Sequence, residues 1–261
     1  MRTVIVSAIA LIGVLPGGIL AHDLYLMPAK FQVKPGERLM ISLHVGDSFP
    51  NSEGPMDPAR IRDARLSDGS PFGDFSIIGN ATHGFTRPSA MGSLYASLAS
   101  EPRFIELAPA KFESYLKEEG LDAVIAARKE RGESAKPGRE LYSKYAKTLL
   151  VSGSSSADYA KPAGLTIEFV PEADPSAVKP GGKLPVKVLW RGQPAAGLFI
   201  QAAHSSGSIT GVGRTDAQGR IAILLPRAGQ WRLHTVAMER CQDPQRADWE
   251  SFWASLTFEI R

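Results

Sequence analysis

Cysteine is nearly absent from this sequence. The single Cys241 excludes an internal disulfide framework and any cysteine-cluster metal centre. Charge of one sign is not in excess either: 30 basic residues face 27 acidic ones, a net +3 spread along the chain, which leaves no electrostatic footprint for nucleic acid. Beyond residue 21 no apolar run approaches the ~18 residues of a membrane-spanning helix. Catalytic signatures are missing as well: there is no G-x-S-x-G elbow, no G-x-x-x-x-G-K-[ST] phosphate loop and no G-x-G-x-x-G fingerprint. The glycine-rich run Gly207–Gly213 lies between predicted strands, with no helix start behind it to receive an anion. The chain therefore reads as a binding or structural protein and not as an enzyme.

What is present begins with a leader. Met1-Arg2-Thr3 is a short basic start, Val4–Leu20 is uncharged and mostly apolar, and Pro16-Gly17-Gly18 breaks the run near its end. Ile19 and Ala21 occupy the −3 and −1 positions of a cut before His22. This is the layout of a secretory signal peptide over residues 1–21 and predicts a periplasmic or secreted product with no membrane span after cleavage. A lone cysteine suits a bacterial periplasm. At 43% hydrophobic and 22% charged, the 261-residue chain has enough apolar content for a large core.

The organisation is mainly β. Val33-Lys34-Pro35-Gly36 leads into Glu37–Val45, and Val178-Lys179-Pro180-Gly181 leads into Gly182–Leu189. In each copy a Pro-Gly turn precedes period-two alternation, with Leu39, Ile41, Leu43 and Val45 on one side and Met40, Ser42 and His44 on the other. Seven strand-like runs follow between Leu165 and Ile260, with Thr215–Gly219 as a hairpin loop. The pattern predicts two immunoglobulin-like or transthyretin-like antiparallel β-sandwich domains, at 22–108 and 164–261. Between them, Lys111–Arg131 has helical spacing broken at Gly120, and a second helix is predicted from about Gly138 to Thr148, with Leu141 and Tyr145 inward. This makes 109–150 a helical insertion and 151–163 a linker.

With no thiolate pair, histidines and carboxylates are the available transition-metal ligands. There are five histidines, none in a compact motif. His22 is the leading candidate, because cleavage after Ala21 would give one residue both a free α-amine and an imidazole; a second histidine or Asp23 could complete the set. The plainer reading is that His22 begins the first strand, in phase with Leu24 and Leu26. His44 lies on the polar side of its strand, followed by Asp47 in a turn, and His83 sits in a loop. Both are candidate partners or ordinary surface histidines. His204 and His234 fall on core-facing phases where hydrogen bonding is the default, and His234 is also kept as a candidate partner. Trp190, Trp231, Trp249 and Trp253 read as core of the C-terminal sandwich.

Four phrases resemble a known family: His22–Leu26, Tyr115–Leu121, Lys136–Lys147 and Asp248–Phe258. Together they are similar to the bacterial exported family called domain of unknown function 4198, often described as periplasmic nickel-uptake (NikM-like) proteins. The resemblance covers nearly the whole mature chain. It implies a periplasmic β-rich protein that binds nickel or cobalt (Ni2+ or Co2+) and assists its uptake through a membrane transporter. Members often place a histidine before the methionine of the penultimate strand, where this chain has Ala237 before Met238 and His234 three residues earlier. The expected metal set is thus His22 with His44, His83 or His234. The competing expectation is a metal-independent cell-envelope module that recognises a protein or glycan through sandwich loops; a weaker third is an accessory domain of a hydrolase complex.

Overall fold

The computed structural model describes residues 22–207 and 209–261, so the predicted leader lies outside the described residues. The first half contains β1 (Leu24–Pro28), β2 (Gln32–Val33), β3 (Leu39–Val45), β4 (Ile61–Leu66), β5 (Phe72–Ile78), β6 (Ala81–Thr86), β7 (Gly92–Ser100) and β8 (Arg103–Leu107). Two helices follow, α1 (Pro109–Glu118) and α2 (Asp122–Glu130), and then β9 (Gly138–Ser152). The second half contains β10 (Ile167–Pro171), β11 (Gly182–Trp190), β12 (Gln193–Pro194), β13 (Phe199–His204), β14 (Ile209–Arg214), β15 (Arg220–Leu225), β16 (Gly229–Arg240) and β17 (Trp249–Ile260). The chain is mainly β with two short helices.

Local chemistry explains many of the boundaries. In both Pro-Gly phrases the residue after glycine donates its N–H back to the lysine carbonyl, Glu37 to Lys34 at 3.1 Å and Gly182 to Lys179 at 2.8 Å. Gly36 and Gly181 take φ of 75° and 85°, as a type II turn requires at its third position. Pro109 opens α1, Gly120 (φ 63°) separates it from α2, and Phe112, Tyr115, Leu116 and Val124 are buried.

Three sheets form the frame. A four-stranded sheet runs β1-β3-β6-β5, and a smaller one pairs β11 with β10, β12 and β15. The third has nine strands, runs β14-β13-β16-β17-β9-β7-β4, and takes β2 and β8 onto β9. Alternation along its strands defines two faces. Ala146 and Leu150 of β9 meet Leu24, Leu26 and Ile41 of the first sheet. On the same face, Tyr142, Trp249 and Trp253 meet the helices through Phe112, Tyr115 and Leu116. The opposite face presents Tyr145, Leu149, Leu256 and Phe258 to Ile167, Val186 and Ile223 of the smaller sheet. The first sheet and the helices thus lie side by side on one face of the large sheet, and the smaller sheet covers the other.

Three expectations are corrected. The helix predicted over 138–148 is the 15-residue strand β9. Leu141 and Tyr145 mimic a helical stripe, but β9 is covered on both faces and has no polar face to alternate with. Of its charged residues, Glu140, Lys144 and Lys147 are buried. The pairing is also not antiparallel throughout, since β9 runs parallel to β17 and to β2. Finally, of the four tryptophans only Trp231 lies in the core of the C-terminal half and Trp190 packs at its margin. Trp249 and Trp253 instead face the helices.

Candidate metal and anion site at the head of β1

Strand β1 is the edge of its sheet, and the large sheet covers that edge. Ser255 and Thr257 of β17 donate their hydroxyls to the Leu24 and Leu26 carbonyls, each at 2.6 Å. This satisfies backbone groups that an open edge would leave unpaired. His22 and Asp23 are thereby fixed at the seam between the first sheet, the helices and β16.

Asp23 is buried among cations. Its Oδ2 accepts from Arg232 Nη1 at 2.7 Å and its Oδ1 from His234 Nδ1 at 2.9 Å. His234 Nε2 bonds Glu119 at the end of α1, also at 2.9 Å. Burial alone would push His234 down, but the charges of Asp23 and Glu119 outweigh it and raise its pKa to about 9. Both its ring nitrogens are therefore protonated donors. Burial opposes ionisation of Asp23 too, yet His234 and Arg232 hold its carboxyl well below the usual range. Lys144, on β9, donates Nζ to the His22 carbonyl. Burial lowers its pKa to about 8, partly countered by Asp23.

The His22 imidazole points outward from this base. Its Nδ1 lies 2.8 Å from Asp47 Oδ2 and 3.4 Å from Glu53 Oε2. One ligand atom from each of His22, Asp47 and Glu53 lies within 4.8 Å of the others. The β1–β3 register pairs Leu24 with Val45, and its continuation puts Asp47 opposite His22. The chain after β3 then folds back: Glu53 N–H bonds Val45 O at 2.7 Å, and Ser52 Oγ accepts from Val45 N–H at 3.0 Å. A Cβ on Gly46 would come within 3.0 Å of Glu53 Cγ, so glycine there lets the two limbs of the loop close. Tyr25 OH ties down the Asn51 carbonyl at 2.5 Å.

The other predicted ligands are engaged elsewhere. His44 Nδ1 donates to Pro50 O at 2.8 Å, with its ring edge-on to Tyr25. His83, expected in a loop, lies instead in strand β6 opposite Ser42, whose Oγ it bonds through Nδ1 at 2.8 Å, with the Ile78 carbonyl 3.4 Å from Nε2. His234 spends both nitrogens on carboxylates. The structure brings none of these three to His22; it brings Asp47 and Glu53. His204 is satisfied by Ser206 Oγ and the Ala228 carbonyl, as its phase predicted. Asp47 was visible in sequence as the turn after His44, whereas Glu53 carried no signal until the loop was seen to fold back.

A cleft of about 390 Å³ opens beside His22. Its lining includes Glu53 and Met56 of the loop, Arg60 and Arg103 at the rim, and Tyr142 and Lys144 of β9. Its size falls within the usual range for small-ligand sites.

Fold and site define a class: a mainly β protein that holds an imidazole and two carboxylates at the head of an edge strand, beside a cleft. The chain belongs to the family described as Domain of unknown function (DUF4198), whose sequence profile matches residues 19–239. No curated protein matches it. Among solved structures it is similar to FdeC, an Escherichia coli adhesin, at 15% identity and a TM-score of 0.27, covering 94% of this chain and 66% of that one. It is also similar to the Yersinia pseudotuberculosis adhesin InvE at 12% identity and 0.24, covering 90% of this chain and 58% of that one.

Proposed function

We propose that this is an exported, non-enzymatic protein that binds a divalent transition metal, nickel or cobalt, and assists its uptake by a membrane transporter. The observation that carries this reading is the convergence of His22, Asp47 and Glu53 on one point. One imidazole nitrogen and two carboxylate oxygens suit borderline divalent ions and disfavour soft ones such as Cu(I). Cleavage after Ala21 would add the α-amine of His22. That amine and Nδ1, the nitrogen that faces Asp47 and Glu53, close a chelate ring through Cα, Cβ and Cγ. The ionised Asp23 and Lys144 behind the site hold the His22 backbone still, which lowers the ordering cost of binding. We read the two halves as two immunoglobulin-like or transthyretin-like sandwich units that share the large sheet, an arrangement in which β9 anchors the site rigidly.

Equilibrium dialysis of the protein beginning at His22, against nickel, cobalt, copper and zinc, tests this. Binding of one nickel or cobalt ion per chain is expected, with strong loss in His22→Ala and when one residue is left ahead of His22. Full affinity in His22→Ala would remove the site.

A second reading, a metal-independent module that recognises a protein or glycan, draws on the exposed Ile77 and Ile78 of edge strand β5. It predicts a partner whose binding is indifferent to chelators and lost in Ile78→Lys.

A further inference from the structure

The cleft beside His22 carries more positive charge than the three ligands need. A divalent ion held by Asp47, Glu53 and a neutral imidazole is already balanced, so a bare cation leaves nothing for the remaining cleft charges to do. Those charges are Arg60 and Arg103 against one further carboxylate of the lining, Asp57, since Lys144 is already engaged with the His22 carbonyl and Asp23. Asp57 is itself committed, capping a 3-10 turn by accepting from Ala59 N–H at 2.9 Å. Among the described residues neither Arg60 nor Arg103 is ion-paired. Arg60 makes one 3.5 Å contact to the Glu101 carbonyl and lies 5.5 Å over the Tyr142 ring. Lys144 donates one N–H to the His22 carbonyl, faces the Tyr142 and Trp253 rings and has the Asp23 carboxylate close behind. Guanidinium groups without a carboxylate, set round a cleft large enough for a small molecule, fit an anion, and they fit carboxylate in the forked geometry arginine favours. The metal side has a matching need. Three side-chain donors, or four with the α-amine, leave positions open on an octahedral ion, and oxygen donors from a bound anion would fill them.

We propose that the cleft takes the metal as a complex with a small polycarboxylate. One part of the anion completes the metal's coordination, and a further carboxylate rests on Arg60 and Arg103 while its backbone lies over Met56 and Tyr142. This rests on the metal reading above and names the form in which the ion arrives. No covalent step is involved. The positive rim also guides a negatively charged complex, which a site of two carboxylates alone would repel.

Equilibrium dialysis with nickel alone, radiolabelled citrate alone, and nickel with radiolabelled citrate tests it on the protein beginning at His22. Citrate retained at one per chain with nickel present, and not without it, is the expected result. In Arg60→Ala/Arg103→Ala that retention falls by about tenfold or more, the loss of a paired charge-assisted contact. Arg103 is exposed, so Arg103→Ala alone gives the same direction should the double variant fold poorly. Nickel retained while citrate stays outside would overturn the polycarboxylate proposal and leave the metal site standing. Citrate retention unchanged in both variants would also overturn it. If nickel is retained in neither form, the metal reading falls and this inference with it.

Discussion

Lys144 and Lys147 sit three residues apart on β9 and point to opposite faces of the same sheet. Both are buried, in a segment whose spacing predicts a helix. On the smaller-sheet side Lys147 is sealed: Nζ lies 3.1 Å from Glu168 Oε2 and also reaches the Lys161 and Phe169 carbonyls. Glu168 in turn accepts from the backbone N–H groups of Ala163, Gly164 and Leu165 at 2.7–3.2 Å. Every charge there is answered, and the pair ties the 161–165 segment to β9. Lys144 instead stands at the foot of an open cleft, with one hydrogen bond to His22 and the ionised Asp23 close behind. A satisfied buried pair is architecture; a charge with donors to spare beside a cavity is a place to bind something.

The comparison breaks most visibly on the sealed side. Glu168→Leu leaves Lys147 buried without its counter-charge and is expected to cost about 3–5 kcal/mol in urea unfolding. Nickel retention in the folded fraction should stay as in the parent chain. A loss of metal affinity there would mean that the two faces of β9 are not independent.

On the other face, Glu140 offers a pH-dependent version of the contrast. Burial raises its pKa from 4.5 to about 7 despite hydrogen bonds from Ser251 and Tyr115. A group whose folded pKa exceeds its unfolded value binds protons more readily when folded. Its contribution is therefore fully present below pH 4.5 and is lost as pH rises through 7. Glu140→Gln should leave stability near pH 5 little changed and exceed the parent above pH 7 by roughly 1–3 kcal/mol. Identical pH profiles of melting temperature would contradict the buried-acid assignment.

Asp23→Asn removes the charge that Arg232 and His234 share. It is expected to cost about 1–3 kcal/mol and to weaken nickel binding by roughly 10–100-fold through loosened His22 geometry. Calorimetric titration reads the second effect separately from the first. The smallest change is expected from Lys144→Met, which keeps the volume and loses the bond to the His22 carbonyl: about 1 kcal/mol in stability, with weaker metal retention. Unaltered metal affinity in both variants would show that the base under His22 does not position it.

Much of the frame was legible in the sequence because it rests on local rules. The Pro-Gly turns at 35–36 and 180–181, the break at Gly120 and the Asp216–Gly219 loop follow from backbone geometry a few residues wide. There Asp216 Oδ1 accepts from the Gln218 and Arg220 N–H groups, and Gly219 takes φ 72°. His22 stood out in the sequence for a different local reason, as the first residue after a predicted cut. Strand β9 was not. A strand buried on both faces loses the alternation that marks strands, and ion pairing hidden in the sequence lets charged residues occupy its interior.

The site divides the same way. Residue types alone restricted the candidate ligands to imidazole and carboxylate, because the chain has one thiol and five histidines to offer. Which carboxylates was a matter of register: pairing β1 with β3 set Asp47 opposite His22, and the closing of the 46–54 loop brought in Glu53. The same folding committed His44, His83 and His234 to bonds of their own. Sequence fixes the donors on hand and the conformations of short turns, since those depend on neighbours in the chain. Only the tertiary structure decides which donors meet, because strand register and layer stacking act between residues far apart along it.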